Sequence, residues 1–175
     1  MITLHPEPLT ADAFAPFGQV IEASATPELI NAGTTDKFSD LANVDLSAAG
    51  GRPQVSLYEG QPYALPFHVA MLERHPLSSQ LFMPLSERPF LVVVAPPGSD
   101  FEAAAPAPLA VAPDSVRTFV TNGRQGVNYD RGTWHHPLVA IAQASWFLVL
   151  ERHGPETNCD EYTFAATDPI SCAAP

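Results

Sequence analysis

From Gln54 onward the chain alternates short apolar runs with turn residues at intervals of about ten positions: QVSLYEG, FHVAMLERH, SQLFMPL, PFLVVVA, GVNYD, HHPLVAI and ASWFLVLER. Runs of this length, bounded by Pro, Gly, Asn and Asp, read as strands, and their even spacing predicts an all-β sandwich or barrel. Phe90 to Ala95 shows no alternation, as expected of a strand buried on both faces. At the N-terminus Thr10 can cap a short helical turn carrying Phe14 and Phe17, with Gly18 as its stop before a strand at Gln19 to Glu22. Leu29 to Leu46 is polar and irregular and reads as a loop with one helical turn. Pro96 to Pro108 reads as a flexible loop. Pro113 to Gly123 leaves two options open, a short helix capped by Asp114 or a strand over Val116 to Val120. No internal repeat is visible, and residues 1–175 read as one domain.

Composition fits this picture and removes several function classes. The 19 prolines lie singly between apolar runs, as in a chain of short strands and tight turns. Eight Lys+Arg against a net charge of −11 give no basic stripe for nucleic acid. No apolar run approaches the roughly 18 residues of a membrane span. Cys159 and Cys172 lack CxxC spacing, so a zinc ribbon and a disulfide framework are disfavoured, and a soluble, cytoplasmic protein is expected. In an acidic chain, a lone cation in a pocket gains interest if the ligand is an anion.

Strand parity selects the candidate chemistry. In LERHP, Glu73 and His75 share one face and Arg74 takes the other. If the chain turns at Pro76 to Ser79, Gln80 begins the next strand close to His75. In GTWHHP, His135 shares a face with Thr133 and Pro137, while Trp134 and His136 share the opposite one, expected to be the outward face that a second copy would cover. Two adjacent histidines should therefore do different work: His135 points toward an inner cluster, and His136 packs at a subunit contact or bonds backbone. Arg74 is expected at the surface or an interface.

The spacing Glu73-x-His75, four residues, Gln80, and later Gly132-Thr-Trp-His135, resembles the two short motifs of the cupin superfamily, with Glu73 where a histidine is usual and Gln80 in place of a glutamate. The wording is more specific. ELINAG, ERHPLSSQLFMPL, FLVVVAPP, FVTNGRQGVNYDRGTWHHPL and NCDEYTF together resemble the ureidoglycolate lyase (ureidoglycolate hydrolase) family of allantoin degradation, over nearly the whole chain. The resemblance implies a cupin-like double-stranded β-helix, or jelly-roll, barrel with a short N-terminal helix. It also implies a homodimer, and cleavage of ureidoglycolate to glyoxylate and urea. A divalent metal, nickel or manganese, is implied as well; His75, His135, Glu73 and Gln80 would be its ligands, held loosely because a neutral amide is a weaker ligand than a carboxylate.

Ureidoglycolate carries a hydroxyl, a carboxylate and a ureido nitrogen on one carbon. Its cleavage needs a base for the hydroxyl proton, an acid for the departing nitrogen and a cation for the carboxylate. Glu73, His75 and His135 are the acid–base candidates. Gln80 and Tyr129 are candidates for binding the ureido group or hydroxyl, and Lys37, Arg74 or Arg117 for holding the carboxylate. Competing readings are another metal-dependent cupin enzyme, such as a dioxygenase or isomerase, and a non-catalytic small-ligand barrel.

Overall fold

The computed structural model of the chain describes residues 2–23, 26–98, 101, 109–167 and 169–175. Regular structure among them is nearly all strand: the helical parts are the turn Ala11–Phe14 and three 3-10 turns. The Thr10 side chain accepts the Ala13 N–H at 3.3 Å and caps the first of these, which seats Phe14 and Phe17 in the core. The chain then enters the strand Gly18–Ile21. Gly18 has φ +143°, and a Cβ there would lie 1.9 Å from the Asn128 carbonyl oxygen, so only glycine lets this strand begin against Gly126–Tyr129.

Two large sheets carry the architecture. A five-stranded sheet runs in the order Gly18–Ile21, Gly126–Tyr129, Gln80–Pro84, Ser145–His153, Arg52–Gly60. An eight-stranded sheet has Asp160–Thr163, Met71–Arg74, Trp134–His135, Phe90–Ala95, Arg117–Val120 and Glu7–Pro8 in line, with Val139–Ile141 and Pro62–Tyr63 attached beside Phe90–Ala95. Between them lies an apolar layer that includes Phe14, Phe82, Phe90, Val92, Val94, Phe119, Val127 and Phe147. This is the expected all-β, cupin-like arrangement.

A second core lies on the far side of the eight-stranded sheet. Leu91, Val93 and Ala95 point into it, with Leu72 and Trp134, and it is closed by Leu4, Phe67, Ile170 and Cys172. Those covering residues belong to a three-stranded sheet of Ile2–Leu4, Ile170–Cys172 and Phe67–His68. Phe90–Ala95 is thus buried on both faces, as its unbroken apolar run predicts.

Three expectations need correction. Trp134 and His136 do share a face, but that face is not outward: they are 0% and 9% exposed, because strands from both ends of the chain cover the sheet behind the site. Arg74, expected at a surface, is buried on the same side, its Nε donating to Asp160 at 3.0 Å and its guanidinium 4.7 Å over Trp134. The segment read as a loop from Leu29 to Leu46 contains a hairpin, Glu28–Ile30 with Thr35–Lys37. The segment left open resolves into the strand option, Arg117–Val120, preceded by a 3-10 turn at Pro113–Ser115 in which Asp114 is internal and caps nothing. Most of the loop predicted over Pro96 to Pro108 lies outside the described residues.

Candidate active site

Glu73 and His135 are directly opposed across antiparallel strands, and Gln80 and Tyr129 form a second opposed pair on the facing sheet. His75 follows Glu73 just past its strand. The two sheets bring these residues together at one end of the space between them, where an open cavity of about 500 Å³ is lined by residues that include Glu73, His75, Gln80, Phe82, Leu138, Tyr58 and Glu151. The His75 and His135 rings lie 5.1 Å apart, and Tyr129 stacks on His135 at 4.3 Å with the planes 12° apart. Gly132, at φ +81°, turns the chain ahead of Trp134–His135; a Cβ there would meet the Phe101 ring at 2.5 Å.

Each imidazole is oriented by its backbone surroundings. His75 Nδ1 faces the Asn158 carbonyl at 2.6 Å and His135 Nδ1 faces the Thr133 carbonyl at 3.0 Å. A carbonyl only accepts, so each Nδ1 carries the proton and donates, which leaves Nε2 of each neutral ring as a lone pair. His135 Nε2 is buried without a hydrogen-bond partner, and its nearest acidic atom, Glu73 Oε1, is 3.6 Å away, at ion-pair rather than hydrogen-bond distance. His75 Nε2 lies 3.1 Å from Gln80 Oε1. Two acceptors that close repel unless the amide turns to offer its NH2 or a cation sits between them.

Burial pushes the His75 imidazole below its ordinary pKa, with the neighbouring His135 adding to the effect, so His75 is neutral near pH 7. Burial alone would raise Glu73, but His135 and then His75 outweigh it and hold the carboxyl below its usual range. The Tyr129 phenol is pushed well above its ordinary value by burial and stays protonated. The site therefore presents the Glu73 carboxylate and the Nε2 lone pair of neutral His75, with donor atoms of Glu73, His75 and His135 all within 4.8 Å of one another.

The proposed carboxylate-binding cations are elsewhere. Lys37 is exposed on its hairpin and pairs with Glu28 at 3.4 Å. Arg117 pairs with Glu7 at 2.9 Å, and Arg74 faces the opposite side of its sheet. Among the described residues no Lys or Arg side chain lines this cavity. Arg152 borders an adjoining pocket, where its Nε and Nη2 donate to the Ala48 and Ala49 carbonyls at 3.0 Å each. His136 is turned away, bonding Pro137 O through Nδ1 at 2.8 Å and packing edge-on against Tyr63 and Phe67. The sequence reading missed Glu151, Tyr58 and Leu138, all of which line the cavity. Parity along Phe147, Val149 and Glu151 carries a signal for the first of these: an inward acid after two inward apolar residues.

The family model for ureidoglycolate lyase matches residues 1–171 of the chain. A protein of Burkholderia mallei (strain NCTC 10229) named ureidoglycolate lyase is 52% identical over 162 residues, covering 92% of this chain and 89% of its own. Proteins of the same name from Azotobacter vinelandii and Pseudomonas aeruginosa (strain LESB58) are 46% and 44% identical, with 97% of this chain covered and 97% and 95% of theirs.

Proposed function

The chain belongs to the ureidoglycolate lyase family, and on that premise we propose that it cleaves ureidoglycolate to glyoxylate and urea at the cluster of Glu73, His75, Gln80 and His135. The observation that carries this assignment of the site is the orphaned, buried Nε2 of His135, aimed at a carboxylate in an open cavity. In the acid–base reading, His135 Nε2 takes the proton of the substrate hydroxyl as the carbonyl forms, and ionised Glu73 stabilises the resulting imidazolium. As the O–H electron pair becomes the carbonyl bond, the C–N pair leaves on nitrogen, which takes the proton back from the His135 imidazolium and departs as urea. Tyr129 holds the His135 ring in place, and Gln80 is placed to bond substrate or His75.

A second reading is favoured by the facing acceptors of His75 and Gln80 and by the missing side-chain cation. Both imidazoles offer Nε2 with Nδ1–H tied to a carbonyl, the usual preparation of a metal-ligating histidine. Glu73, His75, His135 and Gln80 would then hold a divalent cation, which when bound supplies the positive charge for the substrate carboxylate and hydroxyl. The product assay is common to both readings: purified protein with ureidoglycolate should yield glyoxylate and urea in equal amounts, and ammonia as the first nitrogen product would refute the lyase.

The reaction belongs, in this proposal, to allantoin breakdown in the cytoplasm, in keeping with two free cysteines. One domain over residues 1–175 carries it. The homodimer expectation finds support on the outer face of the five-stranded sheet, where Val55, Leu57 and Trp146 are 66%, 61% and 45% exposed beside Leu148 and Leu150. Arg52–Gly60 is moreover an open edge of nine residues, and a second copy would cover both features. Leu57→Lys should shift sedimentation toward monomer.

A further inference from the structure

Glu151 sits in the same cavity without belonging to the cluster. It follows Phe147 and Val149 on the inner face of Ser145–His153 and is registered with Gln54 on the edge strand. Its Oε1 accepts from Ser56 Oγ at 2.5 Å and Gln54 Nε2 at 3.2 Å, and its Oε2 accepts from Tyr58 Oη at 2.9 Å. Burial would raise its pKa, but the bonds from Ser56, Tyr58 and Gln54 outweigh that and hold it ionised. Tyr58, pushed up to about 12 by burial and by its bond to Glu151, remains a donor to it.

A carboxylate offers about four lone-pair positions. Three are taken, which leaves one on Oε2 for an incoming donor. Among the described residues no Lys or Arg lines this cavity; Arg152 lines the adjoining pocket that Glu151 also borders, with its Nε and Nη2 turned to the Ala48 and Ala49 carbonyls, and the hydrogen-bond donors to Glu151 are neutral. Such a group repels an anion and accepts from a neutral N–H. The cavity is thereby polarised, with the Glu73, His75 and His135 donors at one part and an acceptor flanked by Tyr58 at another. Ureidoglycolate is polarised in the same sense: its carboxylate and hydroxyl sit at one end and its N–H donors at the other.

We propose that Glu151 is a specificity-determining residue that accepts the N–H groups of the substrate's ureido end and so orients the C–N bond toward the cluster. This rests on the lyase reading of the site. A carboxylate that merely ties two strands together would influence everything that binds, whereas an acceptor for the ureido group affects only ligands that carry one. Glyoxylate, which has no N–H, is the discriminating probe.

The test measures ureidoglycolate turnover and glyoxylate inhibition for the wild type, Glu151→Gln and Tyr58→Phe. Loss of a hydrogen bond to a charged group should raise KM for ureidoglycolate about 10- to 100-fold in Glu151→Gln, with the glyoxylate inhibition constant unchanged. Tyr58→Phe, which loses only a hydroxyl, should show the same split to a smaller degree and carries the test alone if Glu151→Gln does not fold. An unchanged KM, or a glyoxylate constant that rises in parallel with it, overturns the proposal. A wild type that does not turn over ureidoglycolate refutes the lyase reading itself, and the proposal falls with it.

Discussion

Glu73 and Arg74 are consecutive residues of one strand, and the two faces they define differ in whether an open cavity lies beside their polar groups. On Arg74's side a charged group is buried yet engaged, with Asp160 at 3.0 Å and Trp134 beneath it, and the three-stranded sheet seals that core, so that Trp134 Nε1, buried without a hydrogen-bond partner, sits in closed packing. On Glu73's side the neighbouring polar atoms keep unused capacity: His135 Nε2 has no hydrogen-bond partner and His75 Nε2 faces another acceptor, both beside a cavity. A buried charge thus says little about function when its partner is built in. Bonding capacity left over at a cavity says more.

That contrast can be attacked from either face. The largest expected effect is on turnover: His75→Ala, which should remain folded, loses a positioned acid, base or ligand and should lower kcat/KM by about 10² to 10⁴. A smaller loss would remove His75 from the working face. Removal of a divalent cation comes next. Because Gln80 is a weak ligand, mild chelation should lower activity at least about tenfold, and added nickel or manganese should restore it. Activity indifferent to prolonged chelation would leave the acid–base reading alone.

On the sealed face the readout is stability. Asp160→Asn uncovers part of the charge on Arg74, and because the Asp160 side chain is 32% exposed the loss should be a discounted roughly 1–3 kcal/mol. Urea denaturation measures this, and kcat should be unchanged. The smallest effect is a pH trend. His75 and His136 have folded pKa values below the ordinary 6.5, so the unfolded chain binds more protons in that window and stability is lost as pH falls below about 6.5. Glu73, held below 4.5, adds a further loss in more acid solution by the same sign. A urea midpoint independent of pH between 7.5 and 5.5 would contradict the first part, and His75→Gln should flatten the slope.

How much of this is legible in the sequence follows from what strand parity encodes. Alternation correctly puts Glu73 and His75 opposite Arg74, and His135 opposite Trp134, because the period of a strand is two. It cannot say which face is covered: the strands sealing the Trp134 side come from Ile2–Leu4 and Ile170–Cys172, the two ends of the chain. The expected outward patch therefore fails, while the exposed apolar face emerges at Val55, Leu57 and Trp146. Phe90–Ala95 was readable because burial on both sides leaves no polar position at all. The cations were not, since where Lys37 and Arg117 point depends on partners nine and 110 residues away in the chain. Glu151 lay within reach of the parity argument, but its significance depends on Ser56 and Tyr58 of a strand over 90 residues distant.

The most direct test of the two-face account compares His135→Leu with Arg74→Met, measuring urea release per folded molecule and unfolding free energy on the same preparations. His135→Leu removes an imidazole whose Nε2 has no hydrogen-bond partner and loses only the Nδ1 bond to the Thr133 carbonyl and the stacking on Tyr129, so turnover should fall by a factor of about 10² or more while stability changes by no more than about 1–2 kcal/mol. Arg74→Met leaves the cavity untouched, so stability should fall by about 2–4 kcal/mol with turnover retained. If the two variants lose turnover and stability in the same proportion, the separation of a working face from a sealed one is wrong.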